Sequence, residues 1–90
     1  MEDFILPEPI EVELGGKIYR CTKITNEIRK HRPLVEKGTF KDIPVLLAVI
    51  FDANLDDLKK LDIRDLARAL KFFEKEIQKY GKEMNDWFNQ

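Results

Sequence analysis

The sequence predicts an α+β fold, mainly α, in which an N-terminal β-hairpin packs on a small helical bundle with a long C-terminal helix. Three observations carry this prediction. The apolar residues Ile63, Leu66, Leu70, Phe73, Ile77, Tyr80, Met84 and Trp87 follow one another in unbroken steps of 3 and 4, a heptad seam that strand alternation cannot produce. Ile10-Glu-Val-Glu-Leu14 alternates strictly and runs into Gly15-Gly16, as a strand does on entering a two-residue hairpin turn. Ile43-Pro-Val-Leu-Leu-Ala-Val-Ile-Phe51 is apolar throughout. It is too short for a bilayer, which takes about 20 residues, and so reads as the buried centre of the fold.

Ninety residues make a single domain, 1–90, with a modest core. Net charge is −1, which gives no strong non-specific attraction to nucleic acid. That balance hides a segregation. Met1 to Leu14 holds five acids and no bases, whereas Gly15 to Lys41 holds eight Lys and Arg against Glu27 and Glu36. An acidic strand beside a basic segment points to internal or intersubunit pairing rather than to a polyanion site. The single cysteine, Cys21, excludes an internal disulfide framework and is compatible with a reducing cytoplasm. The acidic start, Met1-Glu-Asp-Phe4, is not that of a signal peptide.

In chain order, residues 1–9 read as an extended arm stiffened by Pro7 and Pro9. Residues 10–22 are the hairpin. Its turn sets Leu14 opposite Lys17, Val12 opposite Tyr19, Glu11 opposite Arg20 and Ile10 opposite Cys21, so one face is apolar and the other wet. An isolated hairpin is marginal in water and needs the helices of 25–88 beneath it. Thr25 is the N-cap of the first helix, with Glu27 in its first turn. Pro33 predicts a kink or a restart, and Gly38 an end. Thr39 or else Asp42 caps the apolar helix, in whose first turn Pro44 is tolerable. Leu46, Leu47, Val49 and Ile50 are expected to be buried against Leu66, Leu70 and Phe73. Asn54 caps a short helix from Leu55 to Leu61, with Leu55, Leu58 and Leu61 as its buried stripe. Its acids come first and its lysines last, as the helix dipole favours.

Asp62 caps the final helix, expected to run to Phe88. At about 1.5 Å per residue it would be roughly 40 Å long, against a diameter of about 30 Å for a compact domain of this size. Its far end is therefore expected to overhang the domain. The overhang would present Ile77, Tyr80, Met84, Trp87 and Phe88 as a protein-binding surface, because long exposed apolar patches mark contacts. Gly81 is a weak point in that helix, costing about 1 kcal/mol relative to Ala.

Catalytic and metal chemistry find no constellation in the sequence. His31, the only histidine, sits in the basic turn Arg29-Lys-His-Arg32 without convergent partners. Cys21 falls on the inner hairpin face, away from any base. Asp52, Asp56 and Asp57 lack the glycine and terminal Glu of a calcium loop and read as capping residues. The cluster Arg29, Lys30, Arg32, Lys37 and Lys41 has no interleaved aromatics and no recognition helix. The expectation is a protein-binding chain that is not an enzyme, with no cofactor, no metal, and neither nucleic acid nor membrane as a partner.

The order of elements is itself informative. A strand pair around Leu-Gly-Gly-Lys-Ile-Tyr precedes a threonine-capped helix, then Pro-Val-Leu-Leu-Ala-Val-Ile-Phe-Asp, then Asn-Leu-Asp-Asp-Leu-Lys-Lys-Leu, then a long last helix. Over roughly Val12 to Ile77 this resembles the tail assembly chaperones of long-tailed bacteriophages and related prophages. The resemblance implies a small helical protein of the host bacterial cytoplasm that binds the tape measure protein and keeps it soluble. It also implies help in recruiting tail tube protein and absence from the mature virion, while the heptad seam running past the core points to self-association into a homo-oligomer. It implies no cofactor and no catalytic residue. The other reading is a structural homo-oligomeric phage protein such as a minor connector, or a small helical regulatory dimer.

Overall fold

The computed structural model describes residues 3–37 and 42–81, and the side chains of 3–31 and 42–81. Two strands, β1 (Phe4–Leu14) and β2 (Lys17–Ile24), are followed by helices α1 (Asn26–Lys37), α2 (Ile43–Phe51), α3 (Leu55–Lys59) and α4 (Ile63–Gln78). The fold is α+β and mainly α. The two strands form an antiparallel hairpin that lies on the helices, and α4 is the longest helix described.

The hairpin has the expected register, with Ile10 paired to Cys21, Glu11 to Arg20, Val12 to Tyr19 and Leu14 to Lys17. Gly15 and Gly16 turn the chain with φ of 60° and 80°, the two positive angles of the turn whose twist matches the strands. On the outer face, Arg20 Nε and Nη2 both donate to Glu11 Oε2, at 3.0 and 2.7 Å. The inner face buries Ile10, Leu14, Tyr19, Cys21 and Ile24.

Residues 1–9 were expected as an extended arm; from Phe4 onward they are extended, and pairing to β2 begins already at Phe4. Phe4 lies opposite Ile24 and Ile5 opposite Lys23, and the ladder then breaks until Ile10 meets Cys21. The break coincides with Pro7 and Pro9, which have no N–H to give to a ladder and bulge the strand instead. Leu6, inside the bulge, is buried, so the segment is anchored on both sides of its prolines.

Beneath the hairpin, α2 contributes Leu46, Leu47, Ile50 and Phe51 to the core, and α4 contributes Leu66, Ala69, Leu70 and Phe73. Phe51 stands between Tyr19 and Phe73, edge to face with each at centroid distances of 6.4 and 6.2 Å. Each such side chain taken from water contributes about 1.5–3 kcal/mol. Val49 departs from expectation: it is half-buried, because the face of α2 that carries it looks away from α4.

The helix starts follow their capping residues. Ile28 N–H donates to Thr25 Oγ1 at 3.3 Å. Asn54 Oδ1 accepts from the N–H groups of Asp56 and Asp57 at 2.9 and 3.4 Å. Asp62 Oδ1 accepts from Arg64 N–H at 2.8 Å. Asp42 occupies the N-cap of α2 without a side-chain cap bond, and Pro44 sits in the first turn. α1 continues through Pro33 to Lys37 as one helix, so the chain does not restart there. In the short helix only Leu58 of the expected stripe is fully buried, and Leu55 and Leu61 are half-buried.

The main correction concerns the last helix. α4 ends at Gln78, ten residues short of Phe88. The N–H groups of Lys79, Tyr80 and Gly81 donate to the carbonyls of Glu76, Ile77 and Gln78, a three-residue spacing that tightens the final turn. Gly81 then takes φ +56°, the left-handed angle at which helices commonly terminate on glycine. Sixteen residues span about 24 Å, less than the 34 Å longest extent of the molecule. The described helix therefore does not overhang its domain.

Candidate protein-binding grooves

The consequence for the expected binding surface is direct. Ile77 and Tyr80 are half-buried and packed against the core. Tyr80 is engaged by Phe4. Met84, Trp87 and Phe88 lie outside the described residues. The geometric argument that set these five residues beyond the fold does not hold for the first two.

The structure instead leaves a partly covered apolar helix face on α2. Every residue from Ile43 to Phe51 is apolar, so whichever face is turned from the core remains hydrophobic. Leu46, Leu47, Ile50 and Phe51 point inward, and Val45, Ala48 and Val49 stay half-buried. They line an open concavity of about 780 Å³ between α2 and β2. Its opposite wall is the run Arg20, Cys21, Thr22 and Lys23, and Glu27 in the first turn of α1 and Leu55 at the start of α3 complete the lining with Thr25 and Asp52. The floor is apolar and the rim charged in both signs, which is the anatomy of a protein contact rather than of a small-molecule pocket with convergent polar groups.

A second concavity, of about 440 Å³, lies between β1 and α4. It is walled by Glu11, Val12, Glu13, Asp65, Arg68 and Phe72. Phe72 is 42% exposed, the largest uncovered ring among the described residues. Elsewhere on the surface the outer hairpin face carries Ile5 and Ile18, each about two-thirds exposed.

The groups considered for chemistry are placed as follows. His31 Nδ1 donates to the Glu27 carbonyl at 2.7 Å, a bond within its own helix that fixes the ring tautomer. Lys30 pairs with Glu27 at 3.9 Å, and the side chain of Arg32 lies outside the description. Cys21 is 2% exposed. Burial pushes its thiol up to about 11, which disfavours the nucleophilic thiolate. Asp56 and Asp57 serve the first turn of α3. Among the described residues no three His, Cys, Asp or Glu side chains converge as metal ligands, and no helix is long and apolar enough to cross a membrane.

Comparison of the chain with protein-family models, with curated proteins and with solved structures finds no match. Sequence reasoning missed the groove residues Val45, Ala48 and Val49. A signal was available: a helix without a polar face, beside a sheet with two strands among the described residues, keeps one side only partly covered.

Proposed function

We propose that this chain is an assembly chaperone that holds a protein client in the groove between α2 and β2. The observation that carries the reading is the outward face of α2, where Val45, Ala48 and Val49 form a half-buried apolar strip that opens into the concavity. Leaving such a strip against water is unfavourable, and a client that covers it recovers that free energy. The resemblance to phage tail assembly chaperones supplies the particular client. It is the tape measure protein, kept soluble in the host cytoplasm while tail tube subunits are recruited, with the chaperone released before the virion is complete.

Co-expression with a tape measure protein encoded beside this chain tests the reading. The soluble fraction of the client is expected to rise severalfold with the wild-type chain. It is expected to fall back with Val45→Asp or Val49→Asp, provided circular dichroism shows the variant folded. A client equally soluble with the folded variants and the wild type places its site elsewhere. Phe72 favours a second reading, a structural homo-oligomer joined through α4. Sedimentation of wild type against Phe72→Lys separates the two, since only the homo-oligomer loses mass with that change.

A further inference from the structure

We infer that two copies of this chain pair antiparallel through α4, with Phe72 of each copy at the two-fold axis. The inference rests on the homo-oligomer reading and gives it a face and an orientation.

One row of α4 carries it. Asp65, Arg68, Phe72, Glu76 and Lys79 follow one another at steps of 3, 4, 4 and 3. At 3.6 residues per turn these five fall within about 80° of one another around the helix, and Lys79, the C-cap, keeps helical angles. Leu66, Leu70 and Phe73 take the core side of the helix, and Phe72, at the centre of the row, is 42% exposed. It is an apolar ring with two charged residues on either side.

The spacing is symmetric about Phe72, and the charges are antisymmetric. Read towards the C-terminus, the row runs acid, base, Phe, acid, base. Read backwards, it runs base, acid, Phe, base, acid. A two-fold axis sets residue i of one copy against j of the other, and j against i. Centred on Phe72, it sets Asp65 against Lys79 of the second copy, Arg68 against Glu76, and Phe72 against Phe72. Every charged position then meets the opposite sign. A parallel pair of helices would set each charge beside its own like.

Within one copy Arg68 holds Asp65 at 3.6 Å, and Lys79 holds Glu76. These pairs stay intact in the dimer. Two such pairs laid head to tail make a ring of four alternating charges, and networks of this kind contribute where a single surface pair does not. The neighbouring charges fit the same arrangement. β1 and α4 run in opposite directions, since Phe4 meets Tyr80 at one end and Gly15 stands beside Leu61 at the other. Glu13 lines the concavity with Asp65, and so sits towards the end where Lys79 of the second copy arrives. Glu11 lines it too and is held by Arg20. Lys71 and Lys75 are exposed on the next row of α4. A contact between two helices of little more than four turns is smaller than the about 1,200 Å² of a standard interface, so the dimer is reversible, with a dissociation constant expected at roughly 10 μM to 1 mM. The α2–β2 groove flanks the other strand of the hairpin and stays open, so client solubility rather than mass decides whether the dimer is a chaperone.

Sedimentation equilibrium of the full chain across that concentration range tests the pairing. Two double variants exchange the signs at one end of the row each: Asp65→Lys with Arg68→Glu, and Glu76→Lys with Lys79→Glu. Each keeps an opposite-signed pair within its own helix, so the fold loses little, and circular dichroism checks it. Alone, each double variant sets like charges together at both ends of the dimer, and its self-association is expected to fall at least about tenfold. Mixed, the two variants restore opposite signs throughout, and the dimer is expected to return to within about threefold of wild type. Carbodiimide coupling adds a readout on the wild-type chain. Asp65 and Lys79 lie about 21 Å apart along one helix, so a zero-length bond between them joins two copies, and that bond is expected in the coupled dimer. A mixture no tighter than either variant alone, or a coupled dimer lacking the Asp65–Lys79 bond, overturns the inference. A double variant that unfolds leaves the coupling to decide. If Phe72→Lys abolishes self-association while both double variants behave as wild type, copies meet through α4 in another register; the homo-oligomer reading stands and this pairing falls. If the wild-type chain stays monomeric throughout, both fall, and client solubility that depends on Phe72 then assigns the face to a client.

Discussion

Phe4 and Tyr80 meet edge to face, with ring centroids 5.9 Å apart and planes at 64°. The contact joins the first residue of β1 to the turn that ends α4, so the two ends of the described fold close on each other. It also ties down the segment that would otherwise be a loose arm ahead of Pro7. A double-mutant cycle reads the bond. Phe4→Leu and Tyr80→Leu are each expected to destabilise the chain. Their coupling energy in denaturant melts is expected at about 0.5–1.5 kcal/mol, the usual value for an aromatic pair beyond its area. Strictly additive losses would show that the rings touch without contributing.

Leu47 is fully buried in the core that α2 shares with α4 and the hairpin. Leu47→Ala would leave a cavity in the closed core. The expected loss is about 2–5 kcal/mol in urea or guanidinium melts. Val49→Ala, on the half-exposed face of the same helix, is expected to cost less than half as much. A loss below about 1 kcal/mol at Leu47 would remove it from the core.

Asp52 ends α2 with φ 50° and ψ 49°, and it is the one non-glycine residue with positive φ among those described. The N–H groups of Asp52 and Ala53 both donate to the Ala48 carbonyl, so the left-handed angle is what lets the helix close. Side chains raise the energy of that angle by roughly 1–2 kcal/mol, somewhat less for Asp, and glycine does not. Asp52→Gly is expected to raise stability by up to about 1 kcal/mol, part of the gain being lost to glycine's freedom in the unfolded chain. Thermal melts should show an increase of a few degrees. Asp52→Val, a β-branched residue at the same angle, should lower the midpoint.

Gly15 and Gly16 share a turn but differ in surroundings. A β-carbon at Gly15 would come within 2.7 Å of Leu61 Cδ2, whereas Gly16 faces open space. Gly15→Ala is therefore expected to cost more than Gly16→Ala, by a margin of about 1 kcal/mol. Equal costs would mean that Leu61 moves aside freely.

These contrasts show what the sequence could express. Alternation and a glycine pair were enough for the hairpin register down to Glu11 and Arg20, because a two-residue turn leaves a single register available. Asn54 and Asp62 announced their helices because a cap is a local bond. The end of α4 was misread because the 3-4 spacing continues past Gly81 in the sequence, and periodicity says which face is apolar, not where the backbone stops. Gly81, three residues beyond Gln78, was the available stop signal. The α2 groove was hidden for a different reason. A wholly apolar helix has no polar face to declare its outside, so which of its residues lack cover depends on how much of it the hairpin and α4 can reach.

The pH dependence of stability offers a separate check on the hairpin's inner face. Cys21 is buried there, and burial pushes its thiol up to about 11. In the unfolded chain the same thiol ionises near 8.5. Below that value both states hold the proton, and the contribution to stability is complete. As pH rises further the unfolded chain releases its proton while the folded chain keeps it, so the unfolded state gains and stability falls. The loss continues until pH passes through about 11, where the folded thiol ionises as well. Tyrosines and lysines also titrate in this range, so the readout is the difference between the wild type and Cys21→Ala. The wild-type advantage is expected to shrink on the order of 2 kcal/mol between about pH 8 and pH 11. At about pH 8 the folded chain is expected to react with a thiol reagent far more slowly than the unfolded chain. A stability difference flat in pH, together with rapid labelling of the folded chain, would put Cys21 at the surface of the groove rather than under it.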